Sequence, residues 1–385
     1  MVFIVVTIFL LVPYLLLLLY YRHSWVSMPE FNIPERSMTA LPSITVVIVA
    51  RNEAACIGNC LRSVMTQHYP AALYEVIVVD DHSTDETPAI VKAFALTNLR
   101  LISLADHTRG ERINAFKKKA IEVAMQNASG ELIVTTDADC RVPAQWLLAL
   151  ASFYKEKNCA FIAAPVIFEM PANATFAGRF FQLFQSLDFM TLQGITGASV
   201  HKNFHNMCNG ANLAYTKKVF EAVDGFKNID DLASGDDMLL MHKVQAKYPR
   251  QIGYLKSDDA IVETKPATSL SEFLNQRIRW ASKSARYTDF KIIMVLCLVY
   301  VLNLWMLTLA AASFFYSVAA LVLLFAIIIK ILFELIFLWP VATFFRRRQW
   351  LWWFIPAQPF HVIYTVLAGG LGFFGKYQWK GRSVR

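Results

Sequence analysis

The chain has 385 residues, 56% of them hydrophobic and 17% charged, with a mean hydropathy of +0.40. That is too apolar for an ordinary soluble protein. The net charge of +8 suits anionic lipid headgroups and a nucleotide diphosphate; it does not by itself argue for nucleic acid, and no nucleic-acid partner is expected.

Val2 to Tyr21 is almost uninterrupted hydrocarbon, long enough to cross a bilayer core of about 30 Å. No Lys or Arg precedes the run and no small-residue cleavage site follows it, so it reads as a signal anchor rather than a secretory signal. Arg22 and His23 come next, and the positive-inside rule places the following residues in the cytoplasm. Globular patterning then runs for about 250 residues, enough for one α/β domain with a real core.

Within it, Ile44–Ala50 reads as a buried β-branched strand followed by Arg51, Asn52 and Glu53. A helix over Ala55–Thr66 and a strand over Tyr74–Val79 come next, the strand ending in Asp80 and Asp81. Ser83 and Thr84 are placed to cap a helix starting near Asp85 and Glu86. Leu99–Ser103 makes a third strand, Phe116–Met125 a helix and Glu131–Thr135 a fourth strand. Strict alternation of strand and helix predicts a doubly wound, mostly parallel sheet. The fourth strand leads into Asp137-Ala138-Asp139. Side chains two apart on an extended strand share a face, so both carboxylates are expected to approach one divalent cation, Mg²⁺ or Mn²⁺. Acidic clusters at two strand ends imply one crevice binding one polar ligand. The six cysteines include no CxxC pair, and neither a disulfide nor a metal role is assigned to them.

From Ile292 to Phe345 a second apolar stretch is broken only by Lys330 and Glu334, which are four apart and able to pair. Its length fits two helices, Ile292–Ala312 and Phe314–Trp339. Arg346–Arg348 forms a basic stop, and Trp350–Phe374 supplies a third helix. Three crossings after a cytoplasmic domain put Lys376, Lys380, Arg382 and Arg385 outside, against the positive-inside rule. Either one segment is re-entrant or interfacial, or the tail is an exception.

The segments VVIVARNE, VIVVDDHSTDET and TTDADC together resemble the nucleotide-sugar-binding core of family 2 glycosyltransferases of GT-A type. Asn209–Asn212 with Val223–Phe226, then Ser234-Gly235-Asp236-Asp237, resemble that family's acceptor-side loop and acidic motif. Gln276-Arg277-Ile278-Arg279-Trp280 resembles the Q-x-x-R-W motif of its membrane-embedded branch, which includes cellulose, chitin, hyaluronan and poly-N-acetylglucosamine synthases; ceramide glucosyltransferases resemble it too. The likeness spans Pro42 to Ala281 and implies a GT-A-type α/β fold flanked by transmembrane helices. It implies that Glu53, Asp81 and Lys117 bind the nucleotide sugar together with Asp137, Gln276, Arg279 and Trp280. Asp139, helped by Asp137, would hold the cation, and Asp237 would act as general base for an inverting transfer. Lys117 heads a run of three lysines, a pattern that otherwise marks a solvated helix face.

The expected organisation is an anchor over residues 1–21, a cytoplasmic catalytic domain over 42–285, a membrane region over 290–375 and a basic tail over 376–385. A multi-pass protein of the bacterial inner membrane follows. It would use a nucleotide-sugar donor, a UDP-sugar, have membrane lipids as partners, and build a cell-surface polysaccharide or, alternatively, add one sugar to a ceramide, diacylglycerol or polyprenyl phosphate.

Overall fold

The structure is a computed structural model that describes residues 1–35, 40–108, 113–170, 175–232, 235–283, 287, 289–374, 377–379 and 382–384. Ser234 of the acidic motif and Lys376, Lys380 and Arg385 of the tail lie outside the described residues.

In chain order the elements begin with α1 (Val2–Ser27), β1 (Ile44–Ala50), α2 (Ile57–Met65), β2 (Tyr74–Asp80), α3 (Thr87–Ala93) and β3 (Leu99–Ser103). Then come α4 (Leu104–His107), α5 (Phe116–Asn127), β4 (Leu132–Asp137), α6 (Trp146–Lys157), β5 (Phe161–Ala163) and β6 (Val166–Phe168). They are followed by α7 (Phe176–His201), β7 (Leu213–Thr216), α8 (Lys217–Ala222), α9 (Met238–Lys247), β8 (Ile252–Tyr254) and β9 (Val262–Thr264). Four helices follow, α10 (Leu270–Ser282), α11 (Phe290–Ala312), α12 (Ser317–Phe344) and α13 (Phe354–Phe374), and two short strands, β10 (Tyr377–Trp379) and β11 (Arg382–Val384), come last.

The chain divides into two compact units. A sheet unit holds Pro29–Glu169, Asn206–Lys265 and Trp379–Arg385; a helical unit holds Met1–Met28, Met170–His205 and Pro266–Gln378. In the sheet unit seven strands run in the order β3-β2-β1-β4-β7-β5-β8. β1 to β4 are parallel, and β7 runs antiparallel to both β4 and β5. The runs ITVVIVA and YEVIVVD are buried along nearly their whole length, as strands covered on both faces must be. Register sets Ala50 opposite Asp80 and Val49 opposite Asp137, so three central strands end at one edge and deliver their acidic residues there. Gly130 leads into β4 with no room to spare: a Cβ at that position would lie 2.3 Å from the Thr45 nitrogen.

In the helical unit, among the described residues, α1, α11 and α12 are long and apolar enough to cross a membrane. α1 runs past Arg22 to Ser27, and α12 starts three residues later and ends five later than its apolar run suggested. Trp350 belongs to a 3₁₀ turn, Arg348–Trp353, ahead of α13. Lys330 and Glu334 do pair, at 2.7 Å and almost fully buried. The Lys330 ammonium also donates to Gln358 Oε1 at 2.8 Å, and the Tyr14 hydroxyl donates to Glu334. Each buried charge on this apolar helix thus has a polar partner.

Candidate active site

The metal-type cluster forms at the end of β4. Asp137 is the last strand residue, while Ala138 and Asp139 lie in a turn closed by the Cys140 N–H donating to the Asp137 carbonyl at 3.1 Å. The two carboxylates therefore converge through a turn rather than through strand alternation, which corrects the sequence expectation. One ligand atom each from Asp137, Asp139 and Cys140 lies within 4.8 Å of the others. The oxygen donors suit a hard divalent cation. Cysteine was given no metal role from sequence, yet Cys140 stands third in this group. Burial, then Asp139 and Asp137, push its thiol up, so the two carboxylates are the fitting ligands.

Lys117, at the start of α5, joins this cluster to the acidic motif. Its Nζ lies 2.7 Å from Asp137 Oδ1 and 3.1 Å from Asp236 Oδ2. Burial alone would depress the ammonium, but Asp137, Asp236 and Asp237 outweigh it and hold Lys117 above the usual lysine range. Asp237 caps α9, accepting from the Met238 N–H at 2.7 Å, and its other oxygen accepts from the Gly210 N–H at 3.2 Å. A helix N-cap and a site carboxylate are therefore the same residue. A Cβ on Gly210 would lie 3.4 Å from Lys117 Nζ and 3.5 Å from Asp236 Oδ2, so the bare backbone brings the loop onto the charges. Asn212, in the same loop, is buried and structural. It accepts from Trp146 Nε1 at 2.9 Å and donates to the Pro165 and Ala260 carbonyls.

The Lys117–Lys119 run is not one solvated face. Lys118 is fully buried and donates to the Ile229 and Leu232 carbonyls at 2.5 and 2.9 Å. It thereby pins the loop that leads to Asp236 and Asp237. Nothing in the sequence pattern separates these three lysines; the difference is made by the loop packed on α5.

At the ends of β1 and β2 two loops are stitched together. The Asn52 N–H donates to Ser83 Oγ and the Thr84 N–H to Asn52 Oδ1, at 3.0 and 2.8 Å. Ser83 and Thr84 are thus spent on Asn52 and do not cap α3; Asp85 Oδ1 accepts from the Thr87 N–H at 3.0 Å instead. Glu53 is anchored through its N–H to Thr87 Oγ1, and its charge is felt, with those of Asp139 and Asp137, by the buried Cys60 thiol, which burial chiefly pushes up. Asp81 is fully buried, 3.0 Å from His82 Nδ1. It forms the floor beneath the loops rather than their open surface.

Gln276, Arg279 and Trp280 lie on α10, in the helical unit. There Arg277, not Arg279, is the buried arginine of the motif. Its guanidinium lies 2.7 Å from Asp188 Oδ2 on α7, between the rings of Phe273 and Trp280 at 4.8 and 4.2 Å. One face of the Trp280 indole is therefore covered, and Phe189 stands 6.1 Å away. Asp188 also accepts from the Tyr364 hydroxyl and lies 3.6 Å from His361 Nδ1. Burial would raise this carboxyl, but Arg277 and His361 outweigh it and hold it below its usual range.

A mostly parallel sheet with acidic residues at one edge defines a class. Residues 45–222 match the model of glycosyl transferase family 2, and the fold is of GT-A type. Among solved structures, the mannosyltransferase PcManGT from Pyrobaculum calidifontis, in complex with GDP-Man and Mn²⁺, matches over 97% of this chain and 99% of its own. The TM-score is 0.61 at 22% identity, a likeness of fold. Glycosyltransferase AglE of Haloferax volcanii is 29% identical over 63% of this chain and 72% of its own. A beta-monoglucosyldiacylglycerol synthase of Synechocystis sp. is 25% identical over 68% of this chain; the match spans 52% of the synthase, about half its length.

Proposed function

We propose that the protein is a membrane-bound, inverting glycosyltransferase that moves one sugar from a nucleotide diphosphate sugar to a lipid acceptor. The observation that carries this reading is the convergence of Asp137 and Asp139 with Asp236 and Asp237 around Lys117. Asp137 and Asp139 would hold a divalent cation, Mg²⁺ or Mn²⁺, which when bound neutralises charge on the departing nucleoside diphosphate. Lys117 adds a second positive charge beside the same carboxylates. Asp237 takes the proton of the acceptor hydroxyl as the oxygen bonds to the anomeric carbon. The bond from that carbon to the diphosphate oxygen breaks with its electron pair leaving on the diphosphate, so configuration inverts. Glu53 and Asp81 would bind the nucleotide, and the resemblance of their motif assigns Gln276, Arg279 and Trp280 a donor-binding role as well.

Two features support a lipid over a polymer. A relative over two-thirds of the chain is a diacylglycerol glycoside synthase, and one face of Trp280, the ring suited to stack on a polymer sugar, is taken by Arg277. The Q-x-x-R-W resemblance favours the second reading, extension of a cell-surface polysaccharide. The sheet unit would work at the cytoplasmic face. Membranes incubated with labelled UDP- and GDP-sugars, followed by mass spectrometry, separate the two: a lipid carrying one sugar is expected, and a ladder of polymer lengths would replace the first reading with the second.

A further inference from the structure

The fate of α13 follows from the directions of its neighbours within the helical unit. α1 and α12 run parallel. Phe3 meets Tyr316, Tyr21 meets Phe337 and Trp25 meets Phe344, at ring separations of 5.8, 6.1 and 5.5 Å. α11 runs against them: Lys291 at its start lies over Phe204, which packs on Tyr20, while Trp305 near its end donates to Thr7. One end of the three-helix set therefore gathers Arg22, Lys291 and Arg346–Arg348; the other gathers Met1 and Phe314–Tyr316.

α13 has 21 residues, about 31 Å of helix and enough to span a bilayer. It starts at the basic end. Arg348 is bonded to Thr343 and lies over Trp339, and Trp353 packs on Phe176 and Phe180. Its far end does not leave. Gly369 abuts the Tyr300 ring midway along α11, and Gly372 abuts Ala281 and Ser282, which precede α11. In between, Phe360 and Tyr364 pack on Phe184, and Tyr364 on Phe273. α7 reaches the same basic end, where Ser24 donates to the Ala198 carbonyl and Gly194 meets Phe337 and Val341. Lys330 bridges the remaining depth to Gln358 with its four-carbon stem.

The outer face of α13 and the turn before it is apolar, with Trp352, Ile355, Phe360, Ile363, Leu367 and Leu371 all exposed. Its polar residues Gln358, His361 and Tyr364 point the other way, each with a partner on α12 or α7. We propose that α13 does not cross the bilayer. It lies within the one leaflet entered by the basic ends, its apolar stripe covered by lipid acyl chains, and the chain crosses the membrane three times. The residues after α13 then return to the face of Arg22 and Arg346–Arg348, which satisfies the positive-inside rule that four crossings would break. Exposed Trp352 and half-buried Trp353 mark the headgroup level at its entry.

The test uses the full chain in spheroplasts with one epitope inserted between Phe314 and Phe315 and a different one appended after Arg385. The expected result is that the two epitopes lie on opposite sides: antibody reaches the first in intact spheroplasts and the second only after permeabilisation. Antibody reaching both in intact spheroplasts, or both only after permeabilisation, would overturn the proposal. Sugar transfer measured on the same membranes is a separate readout, so either topology leaves the proposed chemistry to stand or fall by itself.

Discussion

Replacing Lys118 by methionine isolates the contact that holds the acidic loop. The substitution keeps most of the buried stem and removes the ammonium that donates to the Ile229 and Leu232 carbonyls at 2.5 and 2.9 Å. A hydrogen bond from a charged donor contributes ~1.5–3 kcal/mol, and a buried carbonyl left without a donor costs ~1–3 kcal/mol. Two terms act in the other direction. Methionine relieves the desolvation of a buried charge, and Ile229 and Leu232 are only half-buried, so water can reach their carbonyls. The net loss is about 2–3 kcal/mol, which lowers Tm by roughly 4–12 °C for a unit of this size. Thermal unfolding of the purified full-length protein in detergent measures it. Because the pinned loop carries Asp236 and Asp237, the turnover of the folded variant should fall while donor binding changes little. A Lys118→Met variant with unchanged Tm and turnover would refute the reasoning, and Lys118 would then be an incidental buried lysine.

Three other substitutions read different parts of the fold. Gly130→Ala sets a methyl 2.3 Å from the Thr45 nitrogen and should cost about 3 kcal/mol in denaturant unfolding, since backbone cannot retreat there. Burial would raise the Glu75 carboxyl, but the Ser129 N–H, the Thr45 and Ser129 hydroxyls and Arg100 hold it below its usual 4.5. Its stabilisation is therefore present above about pH 4.5 and lost as pH falls through the lowered value, so the stability gap between wild type and Glu75→Gln should close in acid. Arg277→Met strands Asp188 in a buried pair whose two side chains are 4% and 5% exposed, for a cost of ~3–5 kcal/mol. Arg279→Met should cost about 1 kcal/mol or less, and equal losses for the two arginines would contradict their assignment.

The sheet was legible because ITVVIVA and YEVIVV are continuous β-branched runs, the pattern of strands buried on both faces. The acidic residues were legible because a parallel sheet ends its strands together, and β1, β2 and β4 do so in register. Side-chain partners were not. Asp139 reaches Asp137 through a turn, Ser83 and Thr84 serve Asn52 rather than α3, and the adjacent Lys117 and Lys118 reach unrelated partners. The last two depend on loops distant in sequence, which periodicity does not report. That Arg277 is the buried arginine of the pair escapes the pattern for a similar reason: which arginine faces inward on α10 is decided by Asp188 on α7, some ninety positions earlier.

The central claim is that Asp137 and Asp139 hold the cation that a nucleotide diphosphate sugar needs to bind. Calorimetric titration of the purified protein with UDP- and GDP-sugars, with and without Mn²⁺, tests it against Asp139→Asn. The expected result is donor binding that requires Mn²⁺ in the wild type and drops at least tenfold in Asp139→Asn, about 1.4 kcal/mol. Donor binding that is unchanged by chelation and by Asp139→Asn would contradict it.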